Sequence, residues 1–251
     1  MRLENKIVVI TGAGSGIGAA TAKLMAKEGA HVVIAEINLE NAAKIYDEID
    51  SSGGKSTVVE TNVSDPVSIK TLINKVVTQE GRIDVLVNNA GIGTEKMVKT
   101  ADHSLEDWNK VIAINQSGVF YGMKYAIQQM LVQGQGNIVN VASLAGLKAS
   151  GKNLAYSASK FAVVGMTKSA ALEYARNNIR INCVCPGYTQ SAMLDDIFDL
   201  DEKMRQQLLN FIPMRRYGEP EEIAEAIVWL ASDRTGYVTG QSITLGGGLS
   251  L

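Results

Sequence analysis

Two cysteines, two histidines and four prolines are all that the 251 residues hold of those three types. Cys183 and Cys185 stand two apart in an apolar run, a spacing that suits neither a disulfide framework nor a zinc site. They are expected to pack in a core, in a reducing cytoplasm. His31 and His103 are expected at the surface or at strand ends, without a catalytic role, and no metal site is expected. No apolar run approaches the ~18 residues of a membrane span. The amino terminus leads straight into a strand, with no secretory h-region. Neither sign of charge dominates: 24 Lys and Arg stand against 26 Asp and Glu, a net charge of -2. A broad basic field is thereby excluded, and with it nucleic acid or an anionic membrane as partner. No internal repeat, low-complexity tract or linker divides the chain, so one domain over residues 1–251 is expected.

What is present is a core-forming composition, 46% apolar and 20% charged, in an alternating order. Lys6–Thr11 reads as a strand, the glycine-rich stretch 12–18 as a turn, residues 20–29 as a helix and His31–Glu36 as a second strand. This is one βαβ unit. Helix is then expected over about 38–52, strand over 56–60, and helix from Asp65-Pro66, an acidic N-cap followed by proline. Ile83–Val87 is the next strand. Two helical stretches follow, about 105–114 and 118–131, then the strand Ile138–Ala142, the helix bearing Tyr156, and the strand Ile179–Cys185. Residues 191–212 form a helical flap (about 188–215 in all), 219–231 a helix and Ser242–Leu245 the last strand. Strands alternating with helices throughout predict an α/β fold: a single-domain Rossmann-type, doubly wound parallel sheet with helices on both faces.

Chemistry concentrates at three places. Glycines 12, 14, 16 and 18 leave no Cβ at a turn that opens a helix, so backbone and helix N-terminus can approach a diphosphate. No Gly-Lys-Ser/Thr ending follows, which excludes a P-loop. Glu36, twenty residues after Gly16, closes the second strand, where a carboxylate accepts from a ribose diol and repels a 2′-phosphate. Ser15 and Ile37, at the positions for a phosphate-gripping cation, are uncharged, which favours NAD over NADP. Finally, Tyr156 and Lys160 stand four residues apart and share a helix face. A neighbouring ammonium stabilises a phenolate and lowers a tyrosine's pKa. Ser143 follows a buried strand, a usual place for chemistry in open α/β sheets.

In this order the motifs resemble the short-chain dehydrogenase/reductase family over nearly the whole chain. Thr11–Gly18 is similar to its cofactor loop, Asn88-Asn89-Ala90-Gly91 to its fourth-strand motif and Pro186-Gly187 to its nicotinamide-side turn. Asn115, Ser143, Tyr156 and Lys160 resemble its catalytic tetrad. The resemblance implies that Tyr156 exchanges a proton with substrate, Ser143 bonds the same oxygen, Lys160 holds the nicotinamide ribose and Asn115 holds a relay water. It implies NAD contacts from Gly12, Ser15, Gly16, Ile17, Gly18, Glu36, Ile37, Asn62, Val63, Asn89, Ala90, Gly91, Tyr156, Lys160, Pro186, Gly187, Thr189 and Ser191. Asn62 replaces an Asp common in the family, its amide oxygen being left to accept from the adenine amino group. Of Thr189 and Ser191, spacing favours Ser191 for the carboxamide.

Substrate walls are expected from 93–96, 144–154 and 188–211. They include Leu144, Leu147, Tyr188, Met193, Leu194 and Phe211, with Glu95, Lys96 and Asn153 as polar additions. The reading is an NAD-dependent alcohol dehydrogenase or ketone reductase acting on an apolar or cyclic small molecule. Alternatives are a reductase of carrier-bound 3-oxoacyl groups, for which Arg215 and Arg216 would form a basic rim, and a non-catalytic NAD-sensing module. Residues 161–166, apolar on nearly every side, and the helix 120–131 predict subunit contacts in a symmetric dimer or tetramer, with a homotetramer the family habit.

Overall fold

The computed structural model describes residues 1–191 and 202–250. Seven strands form one sheet: β1 Ile7–Thr11, β2 His31–Glu36, β3 Lys55–Glu60, β4 Val85–Asn88, β5 Gly136–Val141, β6 Ile179–Pro186 and β7 Ser242–Leu245. Their order across the sheet is β3-β2-β1-β4-β5-β6-β7, and every neighbouring pair is parallel. The order reverses between β1 and β4, where diverging crossovers open a crevice beyond the strands' carboxyl ends.

The strands are buried on both faces, so alternate residues feed two cores. Val9, Val33, Leu86 and Ile138 point to one; Val8, Val32, Val85 and Val139 point to the other. The first core is covered by α3 (Pro66–Glu80), α5 (Gly118–Gln133) and α6 (Leu154–Tyr174), the second by α1 (Gly16–Lys27), α2 (Leu39–Ser51) and α8 (Pro220–Ala231). The helices start where the sequence signals them. Asn38 caps α2 by accepting from Asn41 N–H, and Asp65 caps α3 by accepting from Val67 and Ser68, with Pro66 next. Gly81 ends α3 in the left-handed region at φ 77.

Two expectations are corrected. The stretch 105–131 is not two helices with a break. α4 (Leu105–Ile112) passes through a π turn at Ala113–Ser117 directly into α5. Widening one turn keeps the helix continuous while swinging Asn115 into the interior, where it is 0% exposed. His103 is not a surface residue: its side chain is 5% exposed. In the single chain the apolar segment of α6 buries Val163 and leaves Phe161 45% exposed. His31 does open a strand, as expected. Of the flap, α7 (Glu202–Phe211) is described; Met193 and Leu194 lie outside the described residues. Among the described residues no helix is long and apolar enough to cross a membrane, and no cluster of His, Cys, Asp and Glu suits a metal. Both cysteines are free and buried in the β6 core; the hydrogen bond from Cys183, together with burial, raises the Cys185 thiol.

Candidate active site

The glycine-rich turn is shaped by close contacts at its base and open space at its tip. Gly12 has φ +63, and a Cβ there would lie 2.8 Å from Ala90 Cα. A Cβ at Gly18 would strike the Gly12 carbonyl oxygen and the Asn89 amide. Gly16, at φ +50, has nothing within 4 Å, so the first turn of α1 faces open space. Ser15 is exposed at the N-cap of α1 with no capping bond from its side chain. Ile17 packs at the edge of the core beneath it. Gly12 N–H and Gly14 N–H are already given to the Ala35 carbonyl and to Glu36, so the N–H groups left open to an anion are those of the first turn of α1.

Asn89 ties the two diverging strands. Its Nδ2 donates to the carbonyls of Thr11 (3.0 Å) and Gly12 (2.9 Å), while Thr11 Oγ1 accepts from Asn89 N–H (3.1 Å) and Ala90 N–H (3.2 Å). Glu36 is held over the same crevice. Its carboxylate accepts from the N–H groups of Gly14 (3.0 Å), Ile37 (2.9 Å) and Asn38 (3.1 Å). Ile37 beside it is 61% exposed. Fixing the carboxylate this way leaves it little freedom to swing from a phosphate.

Asn62 differs from expectation. Its Oδ1 accepts from both Ser64 N–H (3.0 Å) and Ser64 Oγ (2.7 Å). The oxygen is thus occupied, and the backbone N–H of Ser64 identifies it as the acceptor end of the amide. Val63, next in the chain, packs beneath Gly118.

Ser143, Tyr156, Lys160 and Asn115 come together beyond β5. Ser143 is extended (φ -169), and its Oγ accepts from Ala145 N–H at 3.1 Å, while its hydroxyl hydrogen-bonds the Tyr156 phenol. Lys160 is 4% exposed; its Nζ donates to the Val141 carbonyl at 2.9 Å and lies 5.5 Å from the centre of the Tyr156 ring. A Cβ at Gly91 would lie 3.3 Å from Asn115 Oδ1 and 3.4 Å from Lys160 Nζ, so these groups converge at the end of β4. Asn115 is clamped by the backbone of Ile92, accepting from its N–H and donating to its carbonyl, both at 2.8 Å, and donates to Ser159 Oγ at 3.3 Å. Its side chain is fully committed to the protein and acts as a brace between the post-β4 loop and α6.

Tyr156 is partly buried, and withdrawal of its hydroxyl from water raises the phenol above its ordinary pKa, against a lowering contribution from the Ser143 hydrogen bond. In this structure the phenol is thus raised rather than lowered, contrary to the sequence expectation. The ammonium that was to lower it is turned to the Val141 carbonyl and is itself disfavoured by burial, which brings Lys160 down to about 8.

Pro186-Gly187 ends β6 with Gly187 N–H donating to Leu245 O at 2.8 Å. Thr189 is 7% exposed and its Oγ1 is buried without a partner, a hydroxyl sequence reasoning ranked second; Ser191 Oγ donates to the Thr189 carbonyl at 3.3 Å. Of the expected walls, Leu147, Leu154, Tyr188 and Phe211 are 38–74% exposed. Leu144 instead packs on the backbone of Gly187 and Gly246. Asn153 Oδ1 accepts from Thr94 Oγ1 at 3.0 Å, joining two of the walls. Sequence reasoning missed that role, as it missed Asp107, whose buried Oδ1 accepts from Glu95 N–H at 3.1 Å. Its acidic position in the first turn of α4 looked like ordinary helix chemistry.

A doubly wound parallel sheet, a glycine turn open at Gly16 and a Ser-Tyr-Lys cluster beyond the strands' carboxyl ends define a nucleotide-dependent oxidoreductase. The chain belongs to the short-chain dehydrogenase/reductase family. The family described as enoyl-(acyl carrier protein) reductase matches residues 12–250. The chain is 45% identical to the 3-oxoacyl-(acyl-carrier-protein) reductase FabG of Thermotoga maritima, over 99% of both chains. It is 40% identical to a cyclohexanol dehydrogenase of an Acinetobacter species, over 98% of this chain and 95% of that one. Among solved structures, an NAD⁺-bound xylitol dehydrogenase superposes with a TM-score of 0.94 at 32% identity, over 99% of this chain and 100% of that one.

Proposed function

We propose that the protein is an NAD-dependent dehydrogenase of a small secondary alcohol, or reductase of the matching ketone, with Tyr156 as general acid and base. The observation that carries this reading is the convergence of Ser143, Tyr156 and Lys160 beside the post-β4 loop, across from the glycine turn. Gly12–Gly18 and the N-terminus of α1 would hold the diphosphate. Glu36 would take the adenosine ribose, with Ile37, Asn62 and Val63 beside the adenine. Asn89, Ala90, Gly91, Lys160, Pro186, Gly187, Thr189 and Ser191 would line the nicotinamide half. The fit rests on the open space at Gly16, the unpartnered Thr189 hydroxyl and the fixed Glu36 carboxylate. Bound NAD supplies the hydride acceptor, and NADH the hydride donor.

The protein's own part is proton transfer and positioning. In oxidation Tyr156 Oη takes the alcohol proton; in reduction it returns a proton to the carbonyl oxygen. Ser143 Oγ, which in the free protein bonds Tyr156, would turn its proton to that same oxygen. Lys160 places positive charge behind the phenolate. Asn115 braces the surroundings through Ile92, and the widened turn around it is where a relay water would sit. Glu36 favours NAD, since a 2′-phosphate would meet a carboxylate pinned by three N–H groups. The half-exposed Leu147, Leu154 and Tyr188 favour an apolar or cyclic substrate body.

The same surface supports assembly. Between α5 and α6 lies a groove of about 410 Å³ lined by Phe120, Met123, Ile127, Leu131, Met166 and Tyr174. Phe120 and Leu131 are 48% and 41% exposed there, and Phe161 on α6 is 45% exposed. A second copy of the chain, in a dimer or homotetramer, would cover this face.

A second reading, reduction of a carrier-bound 3-oxoacyl group, is favoured by the 45% identical FabG relative. Against it, Arg216 is already paired with Glu222 at 2.7 Å and Arg215 bonds Asn210 at 2.9 Å, leaving little basic rim for an acidic carrier. A panel of secondary alcohols, cyclic ketones and 3-oxoacyl thioesters, each run with NAD(H) and NADP(H), decides. Turnover of simple alcohols with NAD is expected. NADPH-dependent turnover confined to thioesters establishes the second reading, and cofactor binding without any turnover indicates a sensing module.

A further inference from the structure

Asn153 is the residue before α6, and asparagine is among the best helix N-caps. It does not cap. Its side chain makes no bond to the first turn of α6, whereas Asn38, in the same place before α2, accepts from Asn41 N–H. The amide instead reaches the loop after β4, where its Oδ1 accepts from Thr94 Oγ1 at 3.0 Å. Forgoing a cap destabilises the start of a helix. Lys152, just before it, has φ 61, a left-handed backbone that a Cβ makes costly. Local preference therefore does not account for where Asn153 stands, and departures of this kind gather at functional sites.

Thr94 is held in place from both sides. Ile92 N–H donates to Asn115 and Glu95 N–H donates to Asp107. Thr94 spends its one hydroxyl proton on Asn153, so the amide keeps both protons of Nδ2. That nitrogen has no hydrogen-bond partner among the described residues and is not closed off from solvent.

Asn153, Tyr156 and Lys160 stand at i, i+3 and i+7, along one face of α6. Exposure falls along that face. Asn153 and Tyr156 are half-buried, and Lys160 is 4% exposed. Lys160 thus marks the inner end and Asn153 the mouth, about 4.5 Å from Tyr156 along the helix axis.

We propose that Asn153, fixed by Thr94, is a specificity-determining residue whose amide NH₂ donates to a second oxygen on the substrate, one or two carbons from the carbon that reacts. The substrate class is then a diol, or the matching hydroxyketone, on an apolar skeleton, in preference to a mono-alcohol. The inference rests on the reading of this site as that of an alcohol dehydrogenase. A mono-alcohol of the same size would take water from the amide and give it no partner, and a site built to hydrogen-bond an oxygen discriminates against the analogue that lacks it.

The test compares kcat/KM, with NAD, for the cyclohexane-1,2-diols and 1,3-diols against 2-methylcyclohexanol and 3-methylcyclohexanol, which match them in size but lack the second oxygen. Wild type is expected to prefer at least one diol over its methyl partner by about tenfold, the scale of one hydrogen bond. Asn153→Leu, of similar volume but without a donor, should bring that ratio to about one, through a higher KM for the diol. Thr94→Val should lower the ratio and Thr94→Ser should restore it. A clasp that only held the loop would slow both substrates alike, so a ratio unchanged in Asn153→Leu overturns the proposal. Should the variants not fold, wild type decides alone: turnover with no diol preferred over its methyl partner overturns the proposal and leaves the dehydrogenase reading standing. Should no alcohol be turned over, calorimetry on the NADH-loaded protein takes the same ratio from dissociation constants. A diol preference there, lost in Asn153→Leu, would sink the dehydrogenase reading and keep the site; no preference would sink both.

Discussion

Lys160 donates to the backbone carbonyl of Val141 at 2.9 Å while standing 5.5 Å from the ring centre of Tyr156. One bond anchors the ammonium to the end of β5, and the other relationship places its charge behind the phenol. Burial makes that charge costly, which is why Lys160 is lowered from 10.5 to about 8.

A pH signature in stability follows. Between about 8 and 10.5 the unfolded chain holds a proton on this lysine that the folded chain has released. Stability attributable to Lys160 therefore rises with pH through that window and is lowest below it. Lys160→Met should remove this dependence and keep or raise the melting temperature at pH 7, by up to a few degrees, while turnover is lost. Calorimetry at several pH values in both proteins checks it; a steeper dependence in the variant would contradict the buried charge.

Tyr156→Phe deletes one hydroxyl and little volume. Turnover should fall by about 10³ or more, the scale of a lost general acid-base group. Cofactor titration by fluorescence should show affinity within about threefold of wild type. Substantial remaining turnover would assign the proton to another group.

In the proposed reading Glu36 carries the cofactor preference. Glu36→Ser with Ile37→Arg removes the carboxylate and adds a cation beside it. The ratio of kcat/KM for NADP to that for NAD should rise about 100-fold or more, equivalent to a few kcal/mol. The loss of three accepted N–H bonds should also lower stability by about 1–2 kcal/mol.

Asn62→Asp probes the adenine end. Ser64 occupies the amide oxygen, so an aspartate would keep that turn with one oxygen and offer a second as acceptor. NAD affinity by isothermal titration should tighten about three- to tenfold, the worth of one added hydrogen bond to a charged group. Unchanged or weaker binding would show that Asn62 does not face the adenine.

Phe120→Glu combined with Phe161→Glu places charge on the face of α5 and α6. Analytical ultracentrifugation should then find smaller species than in wild type. An unchanged sedimentation profile would move the subunit contact elsewhere.

Much of this was readable from local chemistry. The sheet followed from β-branched runs spaced by helical periods, and the N-caps Asn38 and Asp65 announced their helices because capping needs only neighbouring residues. Motif spacing likewise brought Ser143, Tyr156 and Lys160 to one place. Three features escaped it. The π turn around Asn115 depends on a long-range clamp by Ile92. His103 looked like a loop residue because nothing local announces a ring folded under a loop. Asn62 looked able to accept from adenine because its oxygen's capture by Ser64 is a matter of side-chain geometry.

The amino-acid order by itself determined the doubly wound sheet, the glycine turn and the candidate Ser-Tyr-Lys cluster, since periodicity, backbone freedom and side-chain chemistry are properties of short stretches. Only the tertiary structure decided which way Lys160 directs its charge, that the Tyr156 phenol is raised, and that Asp107 holds the loop after β4 through Glu95 N–H. Those outcomes depend on burial and on partners from distant segments, 19 residues away for Lys160 and Val141, and desolvation has no value until the chain has closed around the group.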